Sequence, residues 1–238
     1  MENAADSRAM MPLSLFLFLI ASGMPAPAPA RFTSVHAPAD FALTADPASP
    51  PWKDIRGVVA ANGRRGEPIP GHSTEIRSRW TEKNLYLLYT CHYEELYLHP
   101  NPQADRDTDQ LWDWDVVEAF IGSDFSDISN YKEFELSPQG EWIDLEVHRK
   151  AASLDADMAW NSGWKVKARI DRTRKLWYGE MQIPMASIDS RRPVKGREMR
   201  INLYHIQGPT ERRRFIAWQP TQSDSFHVPE AFGRLVLE

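Results

Sequence analysis

Hydrophobic and polar residues alternate with a period of two along most of the chain, which is the pattern of half-buried β-strands. Ile76, Ser78 and Trp80 alternate with charged neighbours, and after a polar turn the alternation resumes over residues 85–93. This spacing predicts a hairpin. The segments YKEFEL and EWIDLEV, joined by the turn sequence SPQG, predict a second hairpin, and WKVKARI with LWYGEMQI predicts a third.

Helical periodicity is scarce, and only Met185–Ile188 and Pro229–Phe232 indicate short helical turns. The segments VVEAFI, MRINLYHIQ, FIAW and RLVLE supply further strands, which brings the total to about ten short strands without helices between them. The sequence therefore predicts an all-β protein, a single antiparallel β-sandwich of the immunoglobulin-like or jelly-roll type.

The N-terminal segment has the features of an export signal. Met10–Ala21 is apolar but shorter than the ~20 residues that span a bilayer. Ala28-Pro29-Ala30 then gives the small-x-small pattern of a signal-peptidase site. We therefore expect residues 1–30 to be a signal peptide. The mature chain should start near Arg31 and be secreted or periplasmic, without membrane insertion.

Domain organisation and composition narrow the function further. Residues 31–50 are rich in Ala and Pro and indicate a linker or an edge segment, which leaves residues 51–238 as one domain. A net charge of −5 argues against a nucleic-acid partner, because phosphate neutralisation needs a basic surface. The sole cysteine, Cys91, lies in a strand pattern, so we expect a buried and unpaired thiol. We expect a monomer.

Acidic residues crowd the segment from Asp105 to Phe120. Aspartates at alternate positions are typical of a calcium loop, because hard oxygen ligands surround this ion. Gln110 stands where an EF-hand needs glycine, and Val116 stands where it needs glutamate, so an EF-hand is excluded. An irregular structural calcium site and a solvated acidic loop remain as alternatives, and no other cofactor is predicted.

Paired carboxylates suggest a second class of function. Glu133 and Glu135 share one face of a strand, as do Asp113 and Asp115, and glycoside hydrolases use two carboxyl groups. Charged strand faces most often point to solvent, and that is the expectation for these four. No nucleophile elbow, phosphate-binding loop or HExxH motif occurs, so no catalytic apparatus is recognisable.

The nine tryptophans suggest a third class of function. Trp80, Trp142 and Trp177 alternate with polar neighbours inside strands and are predicted to be core residues. Trp112 and Trp114 adjoin a loop, where an exposed ring flanked by acids suits the apolar face and the hydroxyls of a sugar. A haem-binding cytochrome-type sandwich is the remaining alternative, and its candidate axial ligands are Met158, Met181, Met185 and Met199 with His205 or His227.

Three ordered blocks of sequence resemble the family 9 carbohydrate-binding modules: TEIRSRWTEKNLYLLYTCHYEE, LWDWDVVEAFIG and AWQPTQSDSFHVPEAFGRLVLE. The resemblance extends from Trp52 to Glu238. It implies a β-sandwich that binds saccharides or polysaccharide chain ends between two aromatic rings and can carry structural calcium. It also implies a secreted protein associated with carbohydrate catabolism, with glycoside hydrolase activity in or alongside the module as the alternative.

The resemblance also assigns binding residues. Trp112 matches the first aromatic platform, Phe226 the second, and Glu118 an acid that hydrogen-bonds sugar hydroxyls. Where the family has an arginine and an asparagine on the next strand, this chain has Glu135 and Ser137. A change from arginine to glutamate reverses the charge of a sugar contact, so the family's ligand preference is not expected to transfer.

Overall fold

The computed structural model describes residues 30–150 and 153–238. The predicted signal peptide lies outside these residues except for Ala30, so its prediction stays a prediction.

Within the described residues, fourteen strands account for nearly all regular structure. They are β1 (Arg31–His36), β2 (Val58–Ala60), β3 (Asn62–Gly63), β4 (Thr74–Trp80), β5 (Asn84–His92), β6 (Val116–Gly122), β7 (Asn130–Leu136), β8 (Trp142–Lys150), β9 (Ser153–Asp157), β10 (Lys165–Asp171), β11 (Leu176–Pro184), β12 (Glu198–Gln207), β13 (Arg214–Ala217) and β14 (Gly233–Leu237). The helical segments are α1 (Met185–Ile188) and four 3-10 turns at Pro50–Trp52, Leu111–Asp113, Thr210–Arg212 and Pro229–Ala231. The three predicted hairpins are confirmed as β4–β5, β7–β8 and β10–β11.

The strands form two sheets that pack face to face, which confirms the predicted β-sandwich. The first sheet has the order β10-β11-β5-β4, with β2 beside β4, and the second has the order β14-β12-β6-β7-β8-β9, with β13 and β3 beyond β12. Pairing within each sheet is antiparallel. Side chains from both sheets interdigitate in one apolar core, as in other aligned sandwiches.

Strand β1 joins the two sheets and departs from the antiparallel prediction. Arg31–Ser34 pairs in parallel with β14, and Val35–His36 pairs in parallel with β4. The prediction of a linker or edge segment is therefore wrong for residues 31–36, because these residues form a strand that lies between β14 and β4.

The rest of the Ala/Pro-rich segment packs on the outer face of the first sheet. One carboxylate oxygen of Glu180 accepts hydrogen bonds of 2.6 Å from the backbone N–H groups of Thr44 and Ala45. The other accepts a 2.7 Å bond from the indole N–H of Trp52. Phe41 stacks on Tyr86 with ring centroids 4.0 Å apart. We call residues 37–52 the strap, because these contacts tie them to the sheet.

Core predictions for individual residues are mostly confirmed. Trp80 and Trp177 are buried, and so is the free thiol of Cys91, whose pKa burial raises well above its usual value. Trp142 is only half-buried, at the start of β8, where its ring meets the edge of Trp164 at 6.2 Å. The prediction that Trp142 is a core residue is therefore confirmed only in part, because its ring packs against the core while the first residue of this strand lies at the border.

Both faces of the second sheet are covered by other parts of the protein. Its outer face carries a second apolar cluster that includes Phe120, Leu145 and Ile206. The segment before β14 folds back over this face and contributes Phe226 and Phe232 to the cluster. Every residue of β6 is consequently buried.

Candidate functional site

A cavity of about 370 Å³ opens on the outer face of the second sheet, at the edge of the covering segment. Trp112, Glu118, Glu135 and Phe226 all line it, so the structure brings together four of the five residues assigned from the resemblance. Ser137 is not among them. Its hydroxyl donates a 2.8 Å hydrogen bond to Glu141 in the turn after β7, which makes it a turn residue rather than part of the cavity.

Trp112 is held by the 3-10 turn Leu111–Asp113 at the mouth of the cavity and is partly exposed. The guanidinium of Arg213 donates to the carbonyl oxygens of Trp112 and Trp114 and fixes this turn from behind. Trp114 faces an adjacent cleft, where it stacks on Tyr97 at 4.7 Å. Trp112 borders both spaces and is the ring available to a ligand in the main cavity.

Phe226 lines the same cavity but is 7% exposed. One ring face stacks on Tyr204 with centroids 3.8 Å apart and an interplanar angle of 12°. The Tyr204 hydroxyl donates a 3.1 Å hydrogen bond to the Phe226 carbonyl oxygen, and the Phe215 ring meets Phe226 edge-on. Phe226 is therefore a wall of the cavity that is also part of the core, rather than a freely exposed platform.

Three glutamates stand on the floor of the cavity. Glu118 of β6 pairs directly with Glu135 of β7, and Glu133 lies two residues before Glu135 on the same face. All three are buried: Glu118 is 2% exposed, Glu135 is 0% exposed and Glu133 is 4% exposed. The expectation that Glu133 and Glu135 face solvent is therefore wrong, because the covering segment closes over this face of the sheet.

These carboxyl groups have few protein partners. Both oxygens of Glu135 and Oε2 of Glu133 are buried, and no donor of another described residue reaches them. Glu133 and Glu135 hydrogen-bond each other when one of the two is protonated. Burying a carboxylate without donors is costly, so the neutral acid is favoured. Burial raises the pKa of Glu133 to about 7 and, together with the neighbouring acids, raises the pKa values of Glu118 and Glu135 well above the usual range.

Basic groups surround the floor without neutralising it. Arg64 lies with its guanidinium 3.8 Å from the Phe215 ring centroid and donates to the Asp224 carbonyl oxygen. His227 Nδ1 is 2.8 Å from the Tyr131 hydroxyl and 4.0 Å from Glu133 Oε2. Burial lowers the pKa of His227 to about 4, so this ring is neutral at pH 7.

Sequence reasoning missed several lining residues, including Arg64, Phe215 and Met158. Arg64 and Phe215 belong to the neighbourhood of β3 and β13, whose pairing with each other has no local sequence signal. The strand pattern did place Glu133 on the same strand face as Glu135. It did not indicate that another segment of the chain covers this face.

The other candidate chemistries are less well supported by the described residues. Across residues 30–150 and 153–238, no group of three or more His, Cys, Asp or Glu side chains converges as metal ligands. In the acidic segment, Asp105 and Asp109 are exposed, whereas Asp115 is buried and accepts hydrogen bonds from the backbone N–H groups of Tyr97 and Gly208. Of the candidate haem ligands, Met158 and His227 line the cavity, whereas the following lie in the interior between the sheets: Met181, Met185, Met199 and His205.

Comparison with known proteins confirms the resemblance. A family model described as carbohydrate family 9 binding domain-like matches residues 51–238, and the chain belongs to this family. A relative from Arthroderma benhamiae, named an extracellular protein, is 28% identical over 183 residues, which cover 72% of this chain and 80% of the relative.

Two solved structures share the fold. A Bacteroides uniformis protein, named as a candidate carbohydrate-binding protein, matches with a TM-score of 0.65 and 17% identity over 89% of this chain and 100% of its own. A family 9 carbohydrate-binding module from Caldicellulosiruptor kristjanssonii, solved with cellotriose, matches with a TM-score of 0.60 and 14% identity over 88% of this chain and 94% of its own. Within the described residues, no helix has the length and apolar character needed to cross a bilayer.

Proposed function

We propose that this protein binds a saccharide in the cavity on the outer face of the second sheet and does so without cleaving it. The observation that carries the proposal is the convergence of a partly exposed tryptophan, Trp112, with the buried and unpartnered carboxyl group of Glu135 in one cavity. Membership of the carbohydrate family 9 binding domain-like family and the fold shared with a module solved with cellotriose support the same ligand class.

The cavity suits one sugar unit. Its volume of about 370 Å³ lies in the lower part of the ~300–1,000 Å³ range of small-molecule sites. A pyranose ring presents apolar C–H groups to Trp112, and stacking on an aromatic ring contributes ~1–3 kcal/mol, the range measured for nucleobases. The acids on the floor are hydrogen-bond donors when protonated and acceptors when ionised, so they orient the hydroxyl groups.

Hydrolysis is the less favoured alternative. A glycosidase needs one protonated carboxyl group and one ionised carboxylate that acts as base or nucleophile. Burial raises the pKa of Glu133 to about 7, so this group is only partly ionised at neutral pH, and burial raises the pKa values of Glu118 and Glu135 well above the usual range. No cation among the described residues donates a hydrogen bond to Glu135 or to Oε2 of Glu133 and holds it as the ionised base or nucleophile, and we therefore propose binding rather than bond cleavage.

Isothermal titration calorimetry with the mature chain and a panel of mono- and oligosaccharides tests the proposal. We expect binding by at least one saccharide and a five- to hundredfold weakening by Trp112→Ala, which corresponds to ~1–3 kcal/mol. Trp114→Ala is the matched control, because this ring is also partly exposed but stacks on Tyr97 outside the main cavity. Absence of binding across the panel, or equal loss in both variants, contradicts the proposal.

We also propose that the protein is exported and contributes to the capture of carbohydrate for catabolism outside the cytoplasm. The apolar run Met10–Ala21, followed by Ala28-Pro29-Ala30, supports export, as does the relative named an extracellular protein. Mass spectrometry of the exported chain should give an N-terminus near Arg31, and an intact Met1 or Met10 in that chain would contradict the export signal.

A further inference from the structure

We propose that the saccharide recognised by this cavity carries a protonated amino group, as in an amino sugar of the glucosamine type. This inference rests on the proposed function and specifies the ligand class. It follows from the charge of the cavity, the unpartnered oxygens on its floor and the aromatic rings around them.

The floor is acidic and has no cation of its own. Glu118, Glu133 and Glu135 line one small cavity, and none of its described lining residues is a lysine. Two arginines lie nearby: Arg64 lines the cavity and bonds the Asp224 carbonyl oxygen, and Arg213 bonds the carbonyl oxygens of Trp112 and Trp114 and lowers the pKa of Glu118. Neither arginine donates a hydrogen bond to Glu135, so the acids outnumber the cations at the floor, and a cationic ligand would balance them.

The unpartnered oxygens require donors. Glu135 is 0% exposed, and no described residue other than Glu133 is placed to bond its oxygens. A proton shared between Glu133 and Glu135 pairs one oxygen of each group and leaves the second Glu135 oxygen without a donor. A sugar hydroxyl supplies one donor, whereas an ammonium group supplies three together with a positive charge. An ammonium group therefore matches adjacent acceptor oxygens better than a hydroxyl does.

The aromatic walls of the cavity also favour an ammonium group. Trp112 and Phe226 line the cavity, and Phe120 lies beside Glu118 on the same face of β6. Aromatic faces attract cations through the ring quadrupole, most strongly where water is excluded. The sugar ring would stack on Trp112, while the ammonium group would reach the carboxyl groups.

Binding of a cation should displace protons from the floor. With the cavity empty, burial and mutual repulsion keep these acids protonated at pH values where free glutamates are ionised. An ammonium ligand lowers their pKa values, so protons leave as it enters. The other titratable or charged groups that line the cavity or its rim are Arg64, Asp224 and His227, with Arg213 behind the Trp112 turn. None of them is within reach of the Glu135 oxygens by a hydrogen bond.

The test compares three sugars that share one pyranose ring, namely glucosamine, N-acetylglucosamine and glucose, with cyclohexylamine as a cation that has no hydroxyl groups. Calorimetry is run at pH 6 in buffers of different ionisation enthalpy, so that the number of protons released is measured together with affinity. We expect glucosamine to bind at least tenfold more tightly than either neutral sugar and to release protons, whereas glucose releases none.

Two variants test whether the glutamates on the cavity floor cause the preference for glucosamine. Glu135→Gln keeps the shape of the neutral acid but cannot ionise, so it should reduce the ratio of glucosamine to glucose affinity at least fivefold and remove most of the proton release, whatever its effect on the binding of each sugar. Glu133→Gln is the second variant, in case the first fails to fold. Glu75→Gln is the matched control, because this residue pairs with Arg77 on the first sheet, away from the cavity.

The outcomes separate the two proposals. Equal binding of glucosamine and glucose, or tighter glucose binding, overturns the amino-sugar inference and leaves saccharide binding intact. Equal binding of glucosamine and cyclohexylamine also overturns it, since the cation alone would then be recognised. Absence of binding by every sugar of the wider panel contradicts the proposed function itself.

Discussion

Glu118 and Glu135 stand directly opposite one another on neighbouring strands, with both side chains under the segment that carries Phe226. Two carboxylates at a directly opposed pair would repel one another, and burial adds the cost of desolvation, so the pKa values of both groups are raised. A fold that retains both residues beneath an open cavity gives up stability that an apolar pair would supply. The proposed binding of a ligand in the cavity would account for this pair.

The acids on the floor should make stability depend on pH. The pKa of Glu133 is raised from 4.5 to about 7 because the folded protein buries the carboxyl group. The folded state therefore binds more protons than the unfolded state between these values, and stability falls as pH rises through this window, by up to ~1.4 kcal/mol per pH unit for one group. Burial lowers the pKa values of His227 to about 4 and of His205 to about 3, and these rings act in the opposite direction below pH 6.5. The contribution of Glu133 is therefore measured as a difference between variants in urea unfolding from pH 4.5 to 8.

Glu133→Gln supplies the comparison for this decline. The amide stays neutral, so the variant should lose stability less steeply than the wild type and be the more stable of the two at pH 8. Glu75→Gln, on the other sheet, should follow the wild-type slope. Parallel curves for Glu133→Gln and the wild type would show that Glu133 does not titrate as proposed.

The two aromatic residues of the cavity should respond differently to truncation. Phe226 stacks on Tyr204 and is part of an apolar cluster, so Phe226→Ala should destabilise the fold by ~3–5 kcal/mol. Trp112 is partly exposed, and Trp112→Ala should cost about 1 kcal/mol or less. Chemical denaturation measures both free energies of unfolding, and equal costs would contradict these placements.

The strand pattern was readable from the sequence because each hairpin is local. The alternation over β4 and β5 predicts their pairing, and the structure has it with Trp80 and Cys91 inside. Strand β1 was missed because its partners β4 and β14 are distant in sequence, and a parallel strand between two sheets needs no turn signal. Two-residue β3 carries too few positions for any pattern.

Most residues of the candidate site were suggested by the resemblance, which assigned Glu118, Glu135 and Phe226 to the site together with Trp112, and these four line one cavity. Period-two alternation identifies which residues share a strand face but not what covers that face. Glu133 and Glu135 were therefore expected in solvent, and their burial by the segment before β14 came from long-range packing. Ser137 was misplaced for a local reason, since β7 ends at Leu136 and the next residue begins a turn.

The last prediction concerns the strap, residues 37–52. Glu180 accepts hydrogen bonds from the backbone N–H groups of Thr44 and Ala45 and from the Trp52 indole, so every donor meets a carboxylate oxygen. In Glu180→Gln, an NH₂ group replaces one oxygen and opposes at least one of these N–H groups. Leaving a buried donor unsatisfied costs ~1–3 kcal/mol, which urea unfolding should detect. The matched control is Glu198→Gln, which breaks a half-exposed ion pair with Arg234 and should cost about 1 kcal/mol or less. Protease cleavage within residues 37–52 should accelerate in Glu180→Gln alone, and equal cleavage in both variants would show that Glu180 does not hold the strap.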